Sequence, residues 1–142
     1  MVTGLKQTMK KHKGFTLIEL LLVLVILTVL AALIVPQFTA RSKQAKITAA
    51  KTDLSNLGTA LDAFEIDNGQ YPSGDAGLSA LVQQPSGMTE WHGPYIKQVQ
   101  NDPWGNPYIY RYPGQHNTNS YDLSSAGPDG HDGTDDDVTN WK

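Results

Sequence analysis

The sequence predicts an α+β chain in which one long N-terminal helix packs on a small antiparallel β-sheet head. Three observations carry that expectation. Residues 15–35 are apolar throughout except for two threonines and Glu19. Beyond Pro36, the residues Ile47, Ala50, Leu54, Leu57, Leu61 and Phe64 recur in steps of three and four, which places them on one stripe of a helix. Later, Tyr108–Tyr112 alternates in the manner of a strand, and Tyr121–Ser125 supplies a second strand to pair with it.

The helix is expected to run from Phe15 to about Asp67. Its first part, the 21 residues 15–35, would measure about 30 Å at ~1.5 Å per residue, the thickness of a bilayer hydrocarbon core. Pro36 is expected to kink or loosen it. In the second part Arg41, Lys43, Lys46, Lys51, Asp53 and Asp62 fall away from the apolar stripe, so that stripe reads as the face that packs on the head. Asn68-Gly69 is a stop signal. Residues 68–142 form the head. Ala76–Gln83 reads as a short helix and Tyr95–Val99 as an extended segment. Asp102-Pro103-Trp104-Gly105-Asn106-Pro107 is dense in turn formers, and Pro113–Ser120 is a polar turn between the two strands.

Charge is distributed unevenly along the 142 residues, whose formal net charge is −3. Lys6, Lys10, Lys11 and Lys13 precede Gly14, and no acidic residue does. From Phe15 onward seven basic residues face fourteen acidic ones, a net of −7. A body that acidic is a poor partner for nucleic acid, so none is expected. The basic start reads as the positive flank of a membrane segment. With no cysteine in the chain, a disulfide, a thiolate zinc site and a cysteine nucleophile are all excluded. The four histidines show no metal-binding spacing, and there is no nucleophile elbow, P-loop or dinucleotide fingerprint. Catalysis is not expected.

Glu19 is the informative residue of the apolar run. A charged side chain inside a membrane span costs roughly 2.5–3.5 kcal/mol on insertion scales and usually has a task. The run is also longer than the ~7–15 apolar residues of a secretory signal peptide, and no Ala-x-Ala site closes it.

Lys13-Gly14-Phe15-Thr16-Leu17-Ile18-Glu19, behind a basic leader, resembles the class III signal of type IV pilins and pseudopilins. The resemblance implies that a prepilin peptidase cuts between Gly14 and Phe15, removing residues 1–14, and N-methylates Phe15. It also implies assembly of a helical homo-oligomer in which Glu19 of one subunit meets the Phe15 amine of the next. At ~4 Å and an effective dielectric of ~20 such a pair attracts by about 4 kcal/mol before desolvation, which offsets burial only in one register.

In the head, Asn68–Pro72 (NGQYP), Gly77–Leu81 (GLSAL), Asp102–Pro107 (DPWGNP) and Ser125–Trp141 together resemble the major pseudopilin of type II secretion systems. Pro107 departs from that pattern and bears on where the strand begins. Type IVa pilins proper usually staple their C-terminal region with a disulfide, which this chain lacks. The resemblance implies a structural subunit of the periplasmic pseudopilus that drives export of folded proteins across the outer membrane. Its partners would be other copies of itself, minor pseudopilins, the inner-membrane secretion platform, prepilin peptidase and, before assembly, membrane lipid. It would sit in the bacterial inner membrane as a single pass, N-terminus cytoplasmic and head periplasmic. Two other readings remain: a type IV pilin or competence pseudopilin, and a membrane-anchored calcium-binding domain that never polymerises. Glu19 beside a cleavable glycine speaks against the last.

Residues 126–138, AGPDGHDGTDDDV, hold Asp129, Asp132, Asp135, Asp136 and Asp137. Composition leaves two readings open, a solvated acidic tail and a calcium loop built from hard oxygen ligands and glycine bends. The EF-hand pattern fails, because His131 and Gly133 occupy its third and fifth positions counted from Asp129. Val138 and Trp141 look like anchors that pin the loop to the head. The pseudopilin resemblance implies one Ca2+ held by carboxylates of Asp129, Asp136 and Asp137, with Asp135 as an alternate to Asp136. Main-chain carbonyls of Ala126, His131 and Val138 would complete the set.

Overall fold

A computed structural model describes residues 14–142, with the backbone alone at 35–37. The leader residues 1–13 lie outside the described residues. A single helix α1, Leu17–Asn68, is 52 residues long, two residues later at its start and one at its end than the sequence reading. The helix continues through Pro36; the expected kink falls on residues whose side chains lie outside the described ones. The chain divides into two units, one ending at Ala40 and the other comprising Arg41–Lys142.

In the first unit every side chain from Gly14 to Ile34 is exposed, including Leu20, Leu24, Leu27 and Leu33. The helix there is apolar on all faces rather than amphipathic. A helix of that kind requires a surround other than water.

The second unit owns the core. Ala50, Leu54, Leu57, Leu61 and Phe64 are buried and Ile47 packs against them half-buried, as their spacing requires. Leu81, Tyr108, Tyr121, Leu123 and Val138 close the core from the head side. Gly58 lies within this stretch of α1. A Cβ there would stand 3.0 Å from the Tyr121 hydroxyl. The glycine costs roughly 1 kcal/mol of helix propensity and lets the Tyr121 ring approach the helix. Asp53 is half-buried, not on a solvated face, because its carboxylate accepts the Tyr108 hydroxyl at 2.8 Å.

The sheet has three antiparallel strands in the order β1 (Ile109–Arg111), β2 (Asp122–Ser125), β3 (Val138–Thr139). The first two are the expected strands. β3 is an addition, and its register sets Ser124 opposite Thr139 and Ser125 opposite Val138. Asn140 prolongs this pairing: its amide N–H donates to the Leu123 carbonyl at 3.0 Å, and its side-chain oxygen accepts the Leu123 N–H at 2.9 Å. Two expectations are corrected. Ala76–Gln83 forms only a five-residue 3-10 turn, Gly77–Leu81, since Ala76 supplies no side-chain cap and Pro85 stops continuation. Tyr95–Val99, expected to be extended, bends at 95–97, where the amides of Tyr95 and Ile96 both turn to the Leu81 carbonyl, at 2.8 and 3.3 Å.

The β1–β2 turn is organised by Asp122, which is 2% exposed. Its carboxylate accepts the amides of Gln115, His116 and Asn117 at 2.7, 2.9 and 2.9 Å, with the His116 ring at 3.2 Å. Burial raises the pKa of this carboxyl, but the three amides and the His116 ring outweigh burial and hold it at about 2. The folded value lies below the unfolded one, so its stabilisation is present above the unfolded pKa of about 4 and is lost as pH falls toward 2. The Asp122→Asn variant should be less stable than wild type by about 2 kcal/mol near neutral pH, the scale of lost charge-assisted hydrogen bonds. In thermal melts followed by circular dichroism the gap between the two proteins should narrow between pH 4 and pH 2. A gap unchanged over that range would contradict the role given to Asp122.

Candidate functional sites on the helix start and the acidic loop

At the head of α1, Thr16 and Glu19 form a reciprocal cap. The Thr16 amide and hydroxyl both donate to Glu19 Oε2, at 2.8 and 2.9 Å, while the Glu19 amide donates to Thr16 Oγ1 at 3.3 Å. This is a capping box, in which the first turn satisfies its own orphan donors. It also puts a carboxylate at the positive end of the helix dipole. The signal stands in the sequence as Thr-x-x-Glu, yet Thr16 does not emerge from reading Glu19 as an isolated charge. Within one chain, then, Glu19 has a partner two residues beyond the Gly14–Phe15 bond. Gly14 and Phe15 precede the helix and are exposed.

In the head, the register that pairs Ser125 with Val138 brings together the two ends of the 126–138 segment and makes it a closed loop. Ala126 and Val138 are buried at its base, whereas Asp129, His131 and Asp135 are exposed. Trp141 anchors the far side by stacking on the His116 ring, 4.2 Å between centroids at 5°. Both expected anchors, Val138 and Trp141, therefore pack on the head.

The glycines of the loop permit its close folds. Gly127 has φ +64°, and a Cβ on it would collide with the Asp136 carbonyl. That contact draws the two arms of the loop together. Across them the Asp129 amide donates to Asp136 Oδ2 at 3.3 Å. Asp136 also accepts the Thr134 hydroxyl at 2.5 Å. The Thr134 hydroxyl holds the Asp136 carboxyl below the usual carboxylate range, with burial a smaller opposing effect. Asp129 Oδ1 accepts the His131 amide at 2.8 Å, and Asp137 Oδ2 the Gly133 amide at 2.7 Å. The His131 carbonyl accepts the Thr134 hydroxyl at 3.2 Å, using one of its two lone pairs. Asp132 pairs with Arg111.

The structure thus brings Asp129 and Asp136 together, turns Asp137 toward Gly133 and Thr134, and leaves Asp135 exposed on the rim. Among the described residues no three Asp, Glu, His or Cys side chains gather as a metal centre. A cation here would therefore rely on few carboxylates and several carbonyls. That donor set suits Ca2+, which takes six to eight oxygens in flexible geometry, and does not suit zinc. Beside the loop, Lys43, Lys51 and Lys142 share a groove of about 530 Å³ with Asp135, Asp136 and Asp137.

Comparison with known proteins bears on the helix start and on the family. Residues 9–35 match the prokaryotic N-terminal methylation motif. Residues 37–141 match the family described as type II secretion system protein G. The type II secretion system core protein G of Pseudomonas aeruginosa is 46% identical over 139 residues, covering 93% of this chain and 96% of that protein. The protein of the same description from Escherichia coli K12 is 44% identical, covering 92% of each. The crystal structure of the major pseudopilin from the type 2 secretion system of enterohaemorrhagic Escherichia coli superposes with a TM-score of 0.63 at 36% identity, over 72% of this chain and 87% of that one. The long helix, the small antiparallel sheet and these matches agree: the chain belongs to the type II secretion system protein G family.

Proposed function

We propose that this chain is a structural subunit of a type II secretion pseudopilus, drawn from the membrane into a helical filament of its own copies. The observation that carries the reading is the run Leu17–Ile34, exposed on every face and headed by the Thr16–Glu19 cap. Lipid covers such a surface before assembly, and neighbouring helices cover it afterward. Family members are structural subunits of a secretion machine, and catalysis has no part in the proposal.

The cap explains how Glu19 is tolerated before assembly. Two donors from Thr16 stand in for the water that the carboxylate gives up, which lowers the cost of holding it near a membrane. In the filament the carboxylate exchanges or shares Thr16 with the methylated Phe15 amine of a neighbouring copy. The attraction of about 4 kcal/mol at ~4 Å and an effective dielectric of ~20 is available only when the helices meet in one register. Prepilin peptidase makes that amine by cutting after Gly14. The positive leader holds the N-terminus in the cytoplasm, the head stands in the periplasm, and the membrane is the inner one. Minor pseudopilins and the inner-membrane platform are the other partners.

The 126–138 loop binds one Ca2+ in this reading. Asp129 and Asp136 are the principal carboxylates, with Asp137 or Asp135 beside them and the carbonyls of Ala126, His131 and Val138 completing the set. What supports it is the closed loop, the approach of Asp129 to Asp136 and the excess of carboxylates, which repel one another without a cation. The ion would supply charge neutralisation that fixes the loop.

Mass spectrometry of membrane-extracted protein should find a chain that begins at N-methylated Phe15. A bulky replacement of Gly14 should leave the leader attached. Glu19→Ala should be inserted and cleaved as wild type is, because it lies beyond the scissile bond, yet secretion should drop at least tenfold. Equal secretion by the two would refute the registering role.

For the loop, the full chain in detergent should lose thermal stability in chelator. A ligand at a hundredfold excess over Kd contributes about 2.7 kcal/mol. Asp129→Ala should melt like chelated wild type and ignore added calcium, and Gly127→Ala should do the same through its clash with Asp136. Magnesium should substitute poorly, since it demands octahedral geometry and holds its water. A wild-type midpoint indifferent to calcium and chelator would overturn this reading.

A further inference from the structure

The turn Asp102–Pro107 ends 19 residues before the acidic loop begins at Ala126, yet the two are joined through a buried polar chain. Asp102 is 4% exposed and Ser125 fully buried. The Ser125 hydroxyl donates to Asp102 Oδ2 at 2.5 Å and accepts the Gly127 amide at 3.1 Å. The other carboxylate oxygen, Oδ1, accepts the amides of Trp104 and Asn106 at 3.0 and 2.8 Å. The Asp102 amide donates to the Asn106 carbonyl at 2.8 Å, and the Gly105 amide to the Asp102 carbonyl at 2.9 Å. One carboxylate therefore knits its own turn with one oxygen and reaches the loop with the other.

A second contact joins the same two segments. The Asn106 side-chain amide lies against Gly130, where an added Cβ would meet Nδ2 at 3.4 Å. The turn thus underlies the loop at both Gly127 and Gly130.

We infer that Asp102 and Ser125 are positioning residues for the cation loop: the Asp102–Ser125–Gly127 chain sets where residues 126–130 stand against Asp136, and so where the Ala126 carbonyl and the Asp129 carboxylate are held. This rests on the calcium reading given above. Neither residue touches the ion. Their effect passes through Gly127, whose α-carbon abuts the Asp136 carbonyl, and through Ser125 itself, which precedes Ala126 and stands opposite Val138. Removing the Ser125 hydroxyl takes away the partner of two buried groups at once, Asp102 Oδ2 and the Gly127 amide. The loop then samples other positions, and the cation must select the competent one at a cost in apparent affinity.

The test is calcium titration by isothermal calorimetry on the full chain in detergent, for wild type, Ser125→Ala and Asp102→Asn, joined to amide hydrogen exchange. Ser125→Ala should weaken the calcium Kd roughly tenfold, the scale of one lost buried hydrogen bond, and Asp102→Asn should act in the same direction. Exchange at residues 127–130 should rise in both, while amides at Leu57, Leu61 and Phe64 keep their protection. A merely structural role would lower protection across the core and leave Kd alone. Wild-type affinity in both variants would overturn the positioning role with the calcium reading intact. A wild-type chain that binds no calcium would overturn both. Should Ser125→Ala lose its core protection, Asp102→Asn decides. Loss of the core in both variants would assign the pair to folding and overturn the inference.

Discussion

The rest of the structure depends on one unpaid surface. Apolar side chains from Leu17 to Ile34 stand exposed around the whole helix. At roughly 25 cal/mol per Å² of apolar area, an uncovered run of that length is intolerable in water. Beyond Ala40 the same helix behaves differently: Ala50, Leu54, Leu57, Leu61 and Phe64 are buried in the head's own core. A helix with two such stretches belongs to a subunit that is complete as a folded head and incomplete as a molecule. In the proposed reading, membrane insertion and filament growth are two ways of covering the same residues, so that one chain could pass from one to the other with its head unchanged.

Polar organisation in this chain follows a second rule. At three places where the backbone changes direction, one acidic side chain collects amide donors. Glu19 does so at the helix start, Asp102 in the turn before β1 and Asp122 between β1 and β2. Small heads with little regular structure need this device, because short strands leave many amides without ladder partners. The three strands here are three, four and two residues long, so side chains supply order that a longer sheet would supply by itself. The acidic loop inherits its closure from two of these residues' neighbours, Ser125 and Asn140.

What could be read from sequence was what has a period. The core stripe of α1 was legible because spacing by threes and fours leaves no other face for Leu57, Leu61 and Phe64. Strand β1 was legible from its alternating aromatic run after a segment dense in turn formers, and β2 from its place after the polar turn Pro113–Ser120. Strand β3 was not, because Val138–Thr139 is too short to alternate and is defined only by its pairing with Ser124 and Ser125. The 76–83 segment looked helical by composition, yet it lacked a cap and met a proline. Of the candidate sites, the Glu19 carboxylate and the acidic loop were legible as anomalies: a charge in an apolar run and five aspartates among glycines. Their partners were less so. Thr16 was hidden because a charge in a membrane run invites a search for distant partners, when the partner lay three residues back. Asp102 was hidden because an Asp-Pro turn accounts for itself locally, while its contact to Ser125 spans 23 residues.

The central claim is that Leu17–Ile34 exchanges lipid for its own copies. Because the chain has no cysteine, single substitutions from Leu20→Cys to Leu33→Cys can each carry one spin label. Collision rates with oxygen, which partitions into lipid, and with a water-soluble nickel chelate report what surrounds each position. In membranes all labels should be open to oxygen and closed to nickel. In assembled filaments oxygen access should fall at most positions, with nickel still excluded. Labels that reach nickel in membranes, or that keep full oxygen access in filaments, would contradict the account.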